Sequence, residues 1–356
     1  AKAPPKLVVA PGPHVFAGAQ RRGGLVRTAL AGGMTTRRMM LDVLVALVPI
    51  VGVSIYVFGW RALVQLGICV VCCVTAETVF TRARGRAATL GDLSAVVTGA
   101  ILAMSLPATA PWYVGAIGSF VAIGLGKIVF GGLGANLFNP AMVGRAFVMI
   151  AFPAALGASG YVLKVASEAP GSAPATIVAI SAGRDRPDAI TRPTPMDDYK
   201  QRHVVAPLWE LAKGTTNGSL GETSALACLL GGLYLCLRRT ASWEIPLGVI
   251  LAAGAIAGAI NLGNMGAEWT FLHDLAGGAL LFGAFFIATD PVSSPLTPKG
   301  KVIFGLGIGA LVMCLRRLSG YPEGVMFAVL IMNSLVPLIN RWTVPRPVGG
   351  PVPAKG

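Results

Sequence analysis

The residue in the most suggestive setting is Thr194, within Asp188-Ala189-Ile190-Thr191-Arg192-Pro193-Thr194-Pro195-Met196-Asp197. Pro193 and Pro195 each fix φ and deny a backbone donor, so the run reads as a turn-rich loop holding Thr194 in an extended kink, exposed on both sides. A hydroxyl held out in this way is available to chemistry, but composition alone reads it as a loop threonine. A second constellation is Gly131-Gly132-Leu133-Gly134-Ala135-Asn136-Leu137-Phe138-Asn139-Pro140. Its glycines let a backbone approach a planar ligand, and Asn136 and Asn139 bring amide donors and acceptors into an apolar setting. The same residues read as a helix break whose asparagines cap the segment starting at Pro140, and capping can coexist with ligand binding.

A third feature is ionisable residues inside apolar runs: Asp42, Glu77, Asp92, Lys127, Arg145, Asp274 and Asp290. Charges so placed line a pathway or pair internally. Asp92 and Asp274 each open a short apolar stretch, and capping is preferred to ion carriage for both because Asp is a favoured cap. Cys69, Cys72 and Cys73 supply too few ligands for a metal cluster and read as buried membrane cysteines. His14, His203 and His273 are scattered, and the chain lacks both a Walker A segment and a dinucleotide-binding glycine fingerprint. ATP hydrolysis and direct nicotinamide binding are therefore not supported.

The elements that position these residues are membrane helices. The 356 residues are 54% hydrophobic and only 12% charged, with a mean hydropathy of +0.70, whereas a soluble domain carries about a quarter charged residues. Apolar runs place spans at 41–60, 61–80, 93–106, 112–130 and 140–156, then at 223–237, 243–261, 271–289, 302–316 and 323–340. Trp60, Trp112, Trp243, Trp269 and Trp342 fall near span ends, as an interfacial aromatic belt requires. The two sets echo each other: Asp92 and Asp274, Pro107 and Pro291, and Pro140 and Pro322 recur at offsets of 182, 184 and 182. An all-α membrane protein follows, with about ten transmembrane helices in two five-helix repeats. An odd-numbered unit must be inverted in its second copy.

The net charge of +14 does not point to nucleic acid, because its basic residues cluster in residues 1–40 and in short loops, the pattern of cytoplasmic segments. The expected organisation is a basic cytoplasmic segment (1–40), a first membrane repeat (41–156), an extracytoplasmic segment (157–222), a second repeat (223–340) and a cytoplasmic tail (341–356). The 157–222 stretch holds seven basic and seven acidic residues and is neutral. Arg316 and Arg317 are the exception, since they fall on the outer side.

With these blocks in view, the chain resembles the family that contains the D subunit of the Rnf electron-transport complex and the B subunit of the sodium-pumping NADH:quinone reductase. The resemblance is carried by DAITRPTPMDDYK and by GDLSAVVTGAILAMSLPATAPW, FGGLGANLFNPAMVGRAF, LFGAFFIATDPVSSPLTPKGKVIFG and GYPEGVMFAVLIMN, in the family's order. The DPV segment and the ending TRPTPMD favour the Rnf protein. The resemblance implies FMN attached by a phosphoester to Thr194, and a non-covalent riboflavin at Asn136 and Asn139. The family usually has small residues where this chain has Arg192-Pro193; Arg192 could pair with the FMN phosphate. It further implies a bacterial inner-membrane subunit, with both termini cytoplasmic and the 157–222 segment periplasmic, which carries flavins while ferredoxin and NAD exchange electrons and Na⁺ or H⁺ crosses the membrane. Its partners would be the other membrane, iron–sulfur and flavin subunits, together with a flavin transferase. Architecture alone leaves a rival open, a solute channel or transporter of urea-transporter-like build.

Overall fold

The computed structural model describes residues 35–85, 90–156, 194–203, 205–216, 218–263, 269–319 and 324–345. The basic N-terminal segment up to residue 34, Arg192, most of 157–222, the Tyr321-Pro322-Glu323 echo and the tail from 346 lie outside them.

The described residues are helical and carry apolar faces long enough for a bilayer. Helix α1 (Thr36–Phe58) is opened by the Thr35 side chain, which accepts from the Arg38 N–H. It reverses at Gly59, whose φ of 69° suits a residue without Cβ, into α2 (Trp60–Ala83). Helix α3 (Ser94–Met104) follows, then α4 (Trp112–Ile123), which continues as a π-helical turn over Gly124–Ile128. Helix α5 (Pro140–Ala151) and the short α6 (Pro153–Leu156) close the first set. Two small helices, α7 (Pro195–Arg202) and α8 (Leu208–Lys213), lead into α9 (Ala225–Leu237) and α10 (Glu244–Gly263). Next come α11 (Phe271–Ala276), α12 (Leu280–Phe282) with a π turn over Gly283–Ile287, α13 (Pro298–Leu318) and α14 (Val325–Thr343). Four of these, α1, α2, α10 and α14, are long and apolar enough to cross a membrane; α3, α4 with its π turn, α5 and α9 are shorter apolar helices. The chain is an all-helical membrane protein.

Packing partners recur. In the first set α2 packs on α3 and α4, and α4 on α5; in the second α10 packs on α11 and α13, and α13 on α14. The sets join where α1 meets α9 and where α5 meets α14. Between them lies a waist. Leu220 donates its N–H to the Leu106 carbonyl at 3.1 Å, and Gly221 donates to Met104 at 2.6 Å, so an irregular segment satisfies the carbonyls that α3 leaves unpaired at its end. The Ser54 hydroxyl donates to the Leu220 carbonyl at 2.5 Å, and Ser54, Met104, Leu106, Leu220 and Phe282 are all buried. Irregular backbone at membrane depth is tolerated only where protein covers it, as here.

The Gly-punctuated run 271–289 is an interrupted helix, broken at Gly277–Ala279 with Gly278 at φ 69°. Two expectations change. Trp60, Trp112, Trp243 and Trp342 are exposed like an interfacial belt, but Trp269 is 1% exposed and belongs to the interior. Asp92 does cap, accepting from the Ser94 N–H at 2.8 Å, whereas the start of α11 is capped by Thr270 with His273, and Asp274 pairs with Arg317 instead.

Candidate functional site

Two regions gather the residues singled out by sequence, and they lie at opposite ends of the bundle. The first is a groove lined by the amino ends of α1, α3 and α5 and by residues 286 and 289–292, with Ser94, Lys127, Asn136, Asn139, Thr289 and Asp290 among its walls. Its enclosed volume is about 80 Å³, and the empty space reaches about 770 Å³ only when the open solvent at its mouth is included.

The two asparagines play different parts. Asn139 caps α5: its Oδ1 accepts from the Met142 N–H at 3.3 Å, and Pro140 at the first helical position needs no donor. Its Nδ2 donates to the Ile287 carbonyl at 3.2 Å, tying the start of α5 to the π turn after α12. Asn333 of α14 completes this knot. With its amide set to satisfy its neighbours, it accepts from the Asn139 N–H at 3.0 Å and donates to the Ser293 carbonyl at 3.2 Å. Asn136 differs, for its Nδ2 donates to the Phe138 carbonyl at 3.1 Å but its buried Oδ1 has no partner among the described residues. A buried acceptor left unpaired is costly, which makes this oxygen the groove's open position for a ligand N–H. Gly132 and Gly134, at φ 103° and 89°, flank the lining residue Leu133, and a Cβ on either would meet open space.

Lys127, on the π turn of α4, is 1% exposed. Its Nζ donates to both oxygens of Glu77, at 2.8 and 2.9 Å, and to the Ser94 hydroxyl at 2.6 Å, using all three of its N–H groups. The Ser94 hydroxyl in turn donates to Asp92 at 2.6 Å. The π turn is a break in helical register of the kind that recurs at functional sites. The other intramembrane charges also pair: Asp42 with Arg238 and Thr240, Arg145 with Glu222, and Asp274 with Arg317. Asp290 accepts from the Val292 N–H and the Ser293 hydroxyl.

The second region surrounds Thr194, which is half-buried rather than exposed on both sides, and Pro195 opens α7 where a turn-rich loop was expected. Helix α7 lies against the residues leading into α11, where the Tyr199 ring stacks on Trp269. Arg316 and Arg317, at the far end of α13 from the groove-side residues 289–292, bind α11. The 21 residues of α13 separate the two regions by about 30 Å at 1.5 Å per residue. Sequence reasoning missed Ser54, a lone polar residue in an apolar run, and Asn333, half of an Asn333-Ser334 pair in another, the signal that could have flagged them.

Residues 27–349 match the family described as NQR2, RnfD, RnfE. Among curated relatives, the D subunit of the ion-translocating oxidoreductase complex of Stutzerimonas stutzeri is 40% identical over 325 residues, 88% of this chain and 92% of that protein. The D subunit of the Na(+)-translocating ferredoxin:NAD(+) oxidoreductase complex of Acetobacterium woodii is 37% identical over 319 residues, 88% and 91% of the two chains. The D subunit of the proton-translocating ferredoxin:NAD(+) oxidoreductase complex of Clostridium ljungdahlii is 37% identical over 324 residues, with the same coverage.

Proposed function

The chain belongs to the NQR2, RnfD, RnfE family, and from that premise we propose that it is the flavin-carrying D subunit of an Rnf-type complex, working between ferredoxin and NAD in a bacterial inner membrane. The observation that carries this reading is the match over residues 27–349, which spans both the groove and Thr194. Relatives named for Na⁺ and for protons are equally similar, at 37%, so similarity does not choose the coupling ion.

In this reading FMN is joined to Thr194 by a phosphoester and riboflavin lies in the groove; when bound, flavins supply one- and two-electron transfer. Thr194 would hold its ester at the amino end of α7, where the helix dipole favours a phosphate. The Asn136 Oδ1, without a partner among the described residues, would accept a hydrogen bond from the bound flavin. Asn139, already engaged at both side-chain atoms, orients this wall and keeps α5 against the second set. Soluble nicotinamide and ferredoxin chemistry falls to partner subunits, and a flavin transferase loads Thr194.

The recurrence of packing partners supports two five-helix repeats in inverted orientation, with the Thr194 region periplasmic and the groove on the cytoplasmic side. An open solute channel is disfavoured by the packed waist at Met104, Leu106, Leu220 and Phe282.

In-gel fluorescence under ultraviolet light tests the covalent claim after co-expression with the transferase. The denatured wild-type band is expected to fluoresce and Thr194→Val to lose the signal. A dark wild-type band would sink the assignment.

A further inference from the structure

Trp269 does not join the other tryptophans at the lipid interface, and what it does instead bears on Thr194. Its indole stacks on the Tyr199 ring with centroids 4.5 Å apart and 20° between planes, and lies 5.1 Å from the His273 imidazole at 32°. Offset-stacked rings attract through their π-quadrupoles as well as through the area they bury. Tyr199 sits five residues beyond Thr194, in the same short helix as Met196, which is 5% exposed against Gly277.

The stack is itself held from two sides. His273 Nδ1 accepts from the Thr270 N–H at 3.0 Å, which puts the ring proton on Nε2, and the ring also bonds the backbone of Ala206. The middle of α7, through Tyr199, and the chain just beyond its carboxyl end, through Ala206, are thereby fastened to one spot. From behind, Arg317 pairs with Asp274 at 3.0 Å, while Arg316 donates to the carbonyls of Asp274 at 2.5 Å and Gly277 at 2.9 Å. A helix of six residues has little persistence of its own, so these bonds are what fix α11 as a platform.

Resting on the assignment of Thr194 as the attachment threonine, we propose that Trp269 is a positioning residue for the covalent flavin: the Tyr199–Trp269–His273 stack holds the helix beginning beside Thr194 at one place on the bundle. A flavin on a phosphoester swings about several single bonds, and electron transfer falls steeply with distance. A fixed base to the tether narrows the range of separations that the carried ring samples. The Arg316 and Arg317 exception to the charge rule acquires a purpose, because both residues build the platform.

The test uses the full chain, co-expressed with its complex and transferase, as wild type, Trp269→Leu, Trp269→Phe and Tyr199→Leu. Three quantities are read: covalent flavin per chain, fluorescence anisotropy of that flavin in the native state, and amide hydrogen exchange over residues 195–203 against 225–237. Trp269→Leu and Tyr199→Leu are expected to raise exchange over 195–203 by tenfold or more with 225–237 unchanged, and to lower the anisotropy. Trp269→Phe, which keeps a ring to stack, restores both. Wild-type anisotropy and exchange in the two leucine variants would overturn the proposal, as would exchange rising evenly through the spans, which is the mark of a packing residue alone. A wild-type chain that carries no flavin overturns the attachment assignment instead, and exchange over 195–203 then decides whether the stack holds α7.

Discussion

Replacing Lys127 by Met strips the ammonium from which both Glu77 oxygens accept, at 2.8 and 2.9 Å, with Glu77 wholly buried and Lys127 1% exposed. Neither charge is screened by water. Removing one partner of such a pair destabilises by about 3–5 kcal/mol, because the other charge is left uncompensated. At 1.4 kcal/mol per factor of ten, that shifts the unfolding equilibrium by roughly 10²- to 10³-fold or more. Replacing both partners, as in Glu77→Gln with Lys127→Met, removes the buried charge as well as the attraction and is expected to return stability to within about 1 kcal/mol of wild type. The measurement is a double-mutant cycle by reversible denaturant titration in mixed micelles, with helicity as the probe. The expected coupling is about 2 kcal/mol or more. An ordinary interhelical hydrogen bond in a membrane protein averages about 0.6 kcal/mol. A coupling of that size, or additive single variants, would refute the electrostatic account.

Asn333→Leu strands the Asn139 N–H and the Ser293 carbonyl and is expected to destabilise by about 2 kcal/mol or more, read by the same titration. Gly221→Ala puts a Cβ 2.9 Å from Met104 Cβ and 3.2 Å from the Phe282 ring, an overpacking of about 1–3 kcal/mol that should appear as a lower melting temperature in detergent. Asn136→Leu removes the open acceptor of the groove. Retention of non-covalent riboflavin is expected to weaken on the order of tenfold, measured by equilibrium dialysis of a Thr194→Val background so that the covalent flavin does not contribute.

The spans were legible because hydropathy adds up residue by residue, and the four long helices fall where apolar runs placed them. What was not legible depends on partners far away in sequence. Asp274 has the composition of a cap, and only the arrival of Arg317 from α13 shows that it is a counter-ion. Arg316 and Arg317 violate the orientation rule as isolated charges and cease to be anomalous once α11 is seen between them and α7. The interruption of the 271–289 run was legible from its glycines, but its position after Ala276 was not, because hydropathy treats Gly277 and Gly278 as part of one apolar run. At the groove, Asn139 could be read as a cap from Asn-Pro alone, but its bond to Ile287 and the idle oxygen of Asn136 required the fold. The two π turns leave no mark in hydrophobic periodicity, which changes by only one residue there.

The waist has a consequence of an electrical kind. Ser54, Met104, Leu106 and Leu220 form a buried, packed layer between a groove at the amino end of α3 and the Thr194 region beyond its carboxyl end. In a thin, low-dielectric partition between wetter vestibules, most of the transmembrane voltage drops across the partition itself. A charge carried across the full potential changes in energy by about 2.3 kcal/mol per 100 mV. A charge that moves only within the groove samples a small part of that, while one that crosses at Leu220 samples nearly all of it.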